Sequence, residues 1–429
     1  MTTRRWLNRT VLGIVLATFL SDVSHEMATA VLPDFIKSVG LGAMALGLIE
    51  GLADFLVSFS KLGGGVLGHY VRRKKPWTAV GYLITTICTA AIGFTKTLTA
   101  MVMLRTVAWA GRGYRSPLRD FLLADAVEKT HYGRAYGLER AGDMLGAMVG
   151  PLLAAAMIWL HVDPATIIKF GLVPGILAAA SIFFIVRERD DEKREPDTPV
   201  DDQSIAAAKT TSLRRFPPLF WWILVGVLIF GIGDFSRTFL VLLAAMALGG
   251  GSSGSPSAAS SSLAPDGAAI VHYAALPMLL YAMHNAVSAV AAYPVGHLGD
   301  RRAKLPLLVG GYALGVVTNA LLAIASGSIG WLVVIFFLSG TYIAVEETLE
   351  KAVVAELIPR EVRSLGLGIL ACANAVGDMV SSIYVGFMLQ AGRPSMAFGA
   401  AAAVGAIGVT WMLCLLPRAD KTITRPNTN

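Results

Sequence analysis

The sequence predicts an all-α membrane protein with twelve transmembrane helices, arranged as two six-helix bundles. Its 429 residues are 55% hydrophobic and only 15% charged. The polar residues cluster between apolar runs of about 20 residues, the length that spans a bilayer. The second half of the chain also repeats short patterns of the first half in the same order. These observations together predict a parallel six-plus-six repeat.

Six apolar runs precede a charged stretch and six follow it. The first set covers 11–35, 44–70, 78–94, 98–118, 135–160 and 167–186. The second set covers 219–248, 268–298, 305–325, 331–354, 364–389 and 396–416. We therefore expect an N-terminal bundle over 1–186, a charged cytoplasmic linker over 187–217 and a C-terminal bundle over 218–429.

The positions of the cations predict the orientation. Most of the 36 Lys and Arg residues lie in the termini and in loops on one side, whereas Lys37, Lys96, Lys169 and Arg393 are alone on the other. Cytoplasmic loops carry the excess of positive charge, so both termini are expected in the cytoplasm of a bacterial inner-membrane protein. The net charge of +7 therefore indicates no nucleic-acid partner.

The repeat is clearest in two pairs of segments. Asp22-Val23-Ser24-His25 in helix one matches Asp234-Phe235-Ser236-Arg237 in helix seven. The segment "GVLGHYVRRKK" after helix two matches "GHLGDRRAK" after helix eight. Transporters whose halves are related by an axis along the membrane normal have this organisation.

The second of these loops resembles the signature loop of the major facilitator superfamily, with Gly296, Asp300 and Arg301 at marked positions. His69 stands where the first-half loop of the family has an acid. Arg105 is similar to the fourth-helix arginine of proton-coupled members. Helix five resembles the family's antiporter motif at Gly137, Gly146, Gly150 and Pro151. The resemblance covers essentially the whole chain and implies a central cavity that opens alternately to each side.

Ionisable residues inside the predicted helices are candidate proton-binding and substrate-binding groups, because charge is costly in hydrocarbon. Asp22 and Glu26 share a helix face, and two neighbouring carboxylates favour a proton carrier. A scaffold role is an equal alternative for Asp22, which recurs as Asp234, and Arg105 has a fixed ion pair as its alternative. The candidates are Asp22, Glu26, Glu50, Asp54, Arg105, Asp143, Asp234, Arg237 and Asp378.

The repeat inverts charge at the predicted ends of helices four and ten. The aligned pairs are Arg115 with Glu346, Arg119 with Glu350, and Asp120 with Lys351. Twofold placement of the halves would set opposite charges across the cytoplasmic mouth, so we expect a gate closed by ion pairs. The alternative is that these residues are solvated helix ends.

The sequence thus predicts a secondary active transporter that works by alternating access. The preferred hypothesis is a proton-coupled antiporter that exports a small cationic, metal-like or drug-like solute. The alternatives are a proton-coupled importer of a small metabolite or metal chelate, and a non-transporting membrane receptor. No nucleophile elbow, phosphate loop or metal cluster is found, so no enzymatic activity, cofactor or metal is expected. The expected partners are the solute, protons and the lipid bilayer, and the expected state is a monomer.

Overall fold

The computed structural model describes residues 6–40, 43–188, 215–235, 240, 244, 267–324 and 328–423. Six helical spans belong to the first half of the chain: α1 Arg9–Ser38, α2 Ala43–Tyr70, α3 Lys75–Ile92, α4 Leu98–Ala126, α5 Tyr132–Trp159 and α6 Pro164–Ile185. Six belong to the second half: α7 Pro218–Gly231, α8 Gly267–Arg301, α9 Lys304–Ala323, α10 Ile329–Leu357, α11 Arg363–Gln390 and α12 Pro394–Ile423. Within these residues the structure confirms the predicted all-α class and the twelve spans.

Seven helical segments of the described residues are long and apolar enough to cross a membrane. The sixth span is irregular: it contains the α-helices Pro164–Phe170 and Leu172–Ala180 and ends in a π-helical turn, Ser181–Ile185. Most of the predicted linker over 187–217 lies outside the described residues, so its boundaries stay a prediction.

Helices four and seven differ in length from the predicted runs. α4 continues to Ala126, although the apolar run ends at 118, because the polar residues that follow are buried and keep the helical backbone. The regular part of α7 ends at Gly231, where tight turns bring the backbone N–H of Asp234 to the carbonyl of Gly231. Asp234 therefore lies just beyond the helix.

Glycines of α5 bring this helix unusually close to α1. A Cβ at Gly146 would lie 2.5 Å from the carbonyl oxygen of Phe19, and one at Gly150 would lie 2.9 Å from that of Val23. Only glycine permits backbones to approach this closely. Three of the residues predicted from the antiporter motif thus have a packing role: Gly146 and Gly150 contact α1, and Gly137 meets the carbonyl of Ala292 in α8.

The two halves meet on one side of the membrane span, which we call the terminal side because α1 begins there. α5 packs against α8, and α2 packs against α11. A Cβ at Gly133 would lie 2.2 Å from the carbonyl oxygen of Gly296, and one at Gly65 would lie 2.8 Å from the Cα of Gly368. The two crossings are equivalent in the repeat, so the halves are closed against each other on the terminal side.

Candidate functional site

The α1–α5 contact brings two predicted acids together in the interior. Asp22 is 3% exposed, and its carboxylate lies 3.0 Å from Nη2 of Arg112 in α4. Asp143 of α5 accepts a hydrogen bond of 2.6 Å from Nη1 of Arg140. The carboxyl groups of Asp22 and Asp143 also lie close enough to interact with each other. Two buried carboxyl groups in contact favour sharing a proton, so this pair is a candidate proton site.

Ion pairs connect this acid pair to the second half of the chain. Nη2 of Arg140 lies 3.7 Å from Glu347 of α10, and Glu347 lies 3.6 Å from Nζ of Lys351 one turn later. Lys351 in turn lies 4.0 Å from both Asp120 of α4 and Glu139 of α5. The network therefore begins at Asp143 in the first half, passes through Glu347 and Lys351 of the second half, and returns to the first half at Asp120 and Glu139. A change of charge at Asp143 then acts on the contact between the two halves.

The structure contains one of the three predicted gate pairs, Asp120 with Lys351 at 4.0 Å, and corrects the other two. Arg115 does not pair with Glu346; it donates to Ser21 Oγ at 2.8 Å and stacks on the ring of Tyr82 at 3.6 Å. All four of the remaining residues, Arg115, Arg119, Glu346 and Glu350, are buried rather than solvated. Arg119 pairs with Glu139 at 3.0 Å and with Asp120 at 2.9 Å, whereas Glu350 accepts from the Tyr312 hydroxyl and from Asn374 at 2.6 Å.

Asp300 links the halves on the terminal side. Its carboxylate accepts hydrogen bonds from the backbone N–H groups of Gly133 at 2.7 Å and Arg134 at 3.0 Å, at the first turn of α5. A negative charge at a helix N-terminus is favoured by the unsatisfied N–H groups and by the helix dipole. Gly296 allows this approach by packing on Gly133, whereas Arg301 is exposed.

His69 occupies the equivalent position in the first half. Its Nδ1 lies 3.1 Å from the carbonyl oxygen of Glu361, just before α11. A carbonyl oxygen only accepts, so the ring donates from Nδ1–H. The histidine that replaces the expected acid thus still contacts the other half, but through the opposite hydrogen-bonding role. This contact could not be deduced from the residue type alone.

The family model of the Major Facilitator Superfamily matches residues 14–273 and 272–429. The chain belongs to the major facilitator superfamily. It is similar to an uncharacterised MFS-type transporter of Methanocaldococcus jannaschii, with 26% identity over 92% of each chain. An uncharacterised protein of Mycobacterium tuberculosis is 25% identical over 89% of this chain and 87% of its own length.

Two solved structures share the fold of this superfamily member. The human organic anion transporter TETRAN has a TM-score of 0.69 and 16% identity, and the match covers 94% of this chain and 99% of that one. The fucose:proton symporter of E. coli also has a TM-score of 0.69, with 12% identity over 96% and 99%. The family match together with this fold identifies a secondary transporter of the superfamily.

The remaining predicted site residues of this transporter lie in several places. Arg105 is 1% exposed and donates from Nη2 to Thr29 Oγ1 at 3.1 Å. The carboxylate of Asp234 accepts from the Tyr342 hydroxyl, Asp378 is exposed on α11 and Glu26 is half-buried on α1. Pro151 lies inside α5. The side chains of Glu50 and Asp54, and all of Arg237, lie outside the described residues.

The sequence analysis missed four residues that the structure places in the site: Arg112, Glu139, Arg140 and Glu347. Each was overlooked because it lies among other charges near a predicted helix end. A signal was present, since Arg112, Arg115 and Arg119 recur at helical spacing, as do Glu139 and Asp143. Charges that continue the helical period past the apolar run indicate a buried polar face.

Proposed function

We propose that the protein is a proton-coupled antiporter that exports a small cationic solute. The neighbouring buried carboxyl groups of Asp22 and Asp143 carry this proposal, because such a pair can share and exchange a proton, as a coupling site must. Gly146 supports the pair by holding α1 close to α5. The proposed orientation places the terminal side in the cytoplasm, in agreement with the distribution of cations in the sequence.

Arg140 supplies the proposed coupling between proton and conformation. Its guanidinium lies 2.6 Å from Asp143 in its own half and 3.7 Å from Glu347 in the other half. The proton occupancy of the carboxyl pair changes how strongly Asp143 holds the guanidinium, so it also changes the contact with Glu347. Protonation from outside then favours the state that opens to the cytoplasm, and an arriving solute displaces the proton.

An organic anion is a second candidate substrate. The charges of Arg105, Arg112 and Arg115 all act on His25, so the first half has a strongly positive region near the acid pair. The human organic anion transporter shares the fold, and a probable 4-methylmuconolactone transporter of Cupriavidus pinatubonensis is 23% identical over 40% of each chain. We favour the cation because the charge of Arg112 is paired with Asp22, although Arg115 keeps two buried nitrogens without a hydrogen-bond partner among the described residues.

Flux in proteoliposomes tests the antiport. Vesicles with an acidic interior, clamped at zero membrane potential, should accumulate external tetraphenylphosphonium as protons leave. Asp22→Asn should lower this gradient-driven rate at least tenfold, because the pair then lacks an exchangeable carboxyl proton. Asp163→Asn is the matched control, since Asp163 is an exposed acid in the loop before α6. Accumulation of tetraphenylphosphonium in vesicles with an alkaline interior would show that solute and protons enter together. That result would refute the antiport in favour of proton-coupled uptake.

A further inference from the structure

Buried acids have different partners in the two halves. In the first half each central carboxylate has an arginine: Asp22 with Arg112 at 3.0 Å, Asp143 with Arg140 at 2.6 Å, and Glu139 with Arg119 at 3.0 Å. Such pairing offsets much of the cost of removing both charges from water. The interior of the first half is therefore close to electrically balanced at these positions.

The equivalent positions of the second half have no arginine. The repeat aligns Arg115 with Glu346 and Arg119 with Glu350, so two cations are replaced by acids. Among the described residues Glu350 accepts hydrogen bonds only from neutral donors, the Tyr312 hydroxyl and the Asn374 amide.

Glu346 lacks a partner altogether within the described residues. It is 7% exposed, and it has neither a hydrogen bond nor an ion pair with any residue that the structure describes. The charges of Asp234, Glu350 and Glu347 all act unfavourably on its carboxylate. A buried carboxylate in this position needs a positive group to balance it.

Asp378 of α11 connects Glu346 with the interface between the halves. This aspartate is exposed, and its charge acts both on Glu346 and on Lys61 of α2 in the first half. A solute beside Asp378 therefore also lies near Glu346. The hydroxyl of Tyr342, one turn before Glu346 on α10, donates to the carboxylate of Asp234. Asp234 and Glu346 therefore lie along the same face of α10.

The geometry favours an organic cation over a metal ion. Among the described residues no three His, Cys, Asp or Glu side chains are placed to share one metal. An aromatic side chain lies one turn away on α10: Tyr342, whose hydroxyl bonds Asp234. Acidic and aromatic groups together suit a bulky cation with a diffuse charge.

We propose that Glu346, with Asp234 and Asp378 beside it, binds the positive group of an organic monocation, while the proton is carried by the first half at Asp22 and Asp143. This division of sites rests on the proposed antiport. The substrate then supplies the positive charge that arginines supply in the first half.

Binding to the purified protein tests the proposal with two probes, tetraphenylphosphonium and the smaller tetramethylammonium. The wild type should bind at least one of them, and Glu346→Gln should weaken that binding at least tenfold because the amide has no charge. Glu346→Asp keeps the charge and should retain most of the binding. Glu128→Gln, the same change at an exposed loop acid, is the matched control, and thermal unfolding of each variant shows that it is folded.

The outcomes separate the two proposals. Equal binding by wild type and Glu346→Gln, or no binding of either probe by the wild type, overturns the site at Glu346. If probe binding depends on Glu346 but flux does not respond to the pH gradient, the result supports the site at Glu346 and overturns the antiport. Gradient-driven flux that Glu346→Gln leaves unchanged retains the antiport and overturns the site.

Discussion

Replacing Asp300 by Asn should open the terminal side of the transporter. The Asp300 carboxylate accepts two backbone hydrogen bonds of 2.7 and 3.0 Å from α5 and lies 3.3 Å from Nε of Arg134. A hydrogen bond to a charged group contributes about 1.5–3 kcal/mol. Asn keeps the shape and one acceptor but loses the charge, so the closed state should lose about 2 kcal/mol. That loss changes the open-to-closed ratio about 30-fold.

Distances between spin labels measure this ratio. Labels at Glu128 and Arg302, after replacement of the three native cysteines, report across the halves from exposed loops on the terminal side. A wild-type ratio of about 1:99 would become about 1:3 in Asp300→Asn, which gives a visible longer-distance population. Asp163→Asn is the control, since Asp163 caps a helix through Thr166 within one half only. An unchanged distance distribution in Asp300→Asn would refute the role of Asp300 in holding the halves together.

Three further predictions follow from described contacts. Gly133→Ala should destabilise the closed state by about 1–3 kcal/mol, because the added Cβ would overlap the backbone of the other half; the same spin labels measure the change. Gly310→Ala is the control and should be neutral, since a Cβ at Gly310 has nothing within 4 Å. Arg119→Gln should lower stability by about 3 kcal/mol in thermal unfolding, since Glu139 stays buried without its arginine; unchanged stability would contradict this pairing. A backbone hydrogen bond from Thr166 lowers the pKa of Asp163. The wild type should therefore be more stable than Asp163→Asn above about pH 4, and this advantage should disappear as the pH falls through the pKa of Asp163 in the folded protein. A stability advantage that grows in acid would refute this prediction.

Hydropathy and the repeat were sufficient to predict the class and the number of spans, and the resemblance of the loop with Gly296, Asp300 and Arg301 predicted the superfamily. The length of an apolar run can be compared directly with the thickness of a bilayer, and the internal repeat indicates how the two halves are related. The same signals could not predict where α4 ends, because Arg115, Arg119 and Asp120 look like a solvated helix end although they are buried. A single sequence contains no information on which charges find partners inside a bundle.

The sequence predicted several residues of the candidate site, but it did not predict most of the contacts between them. Asp22 and Asp143 were both selected as intramembrane acids, but their contact depends on the glycines that bring α1 and α5 together. Arg140 was missed because its role depends on a helix of the other half. Contacts between halves depend on the packing of distant segments, which local patterns do not contain.

Proton release on solute binding tests the central claim most directly. Tetraphenylphosphonium added to purified protein in unbuffered detergent solution should release about one proton per molecule, because the proposed coupling site at Asp22 and Asp143 would share one proton. The same titration of Asp143→Asn should release none. Equal proton release by wild type and Asp143→Asn would contradict the account, because the exchanged proton would then come from another site.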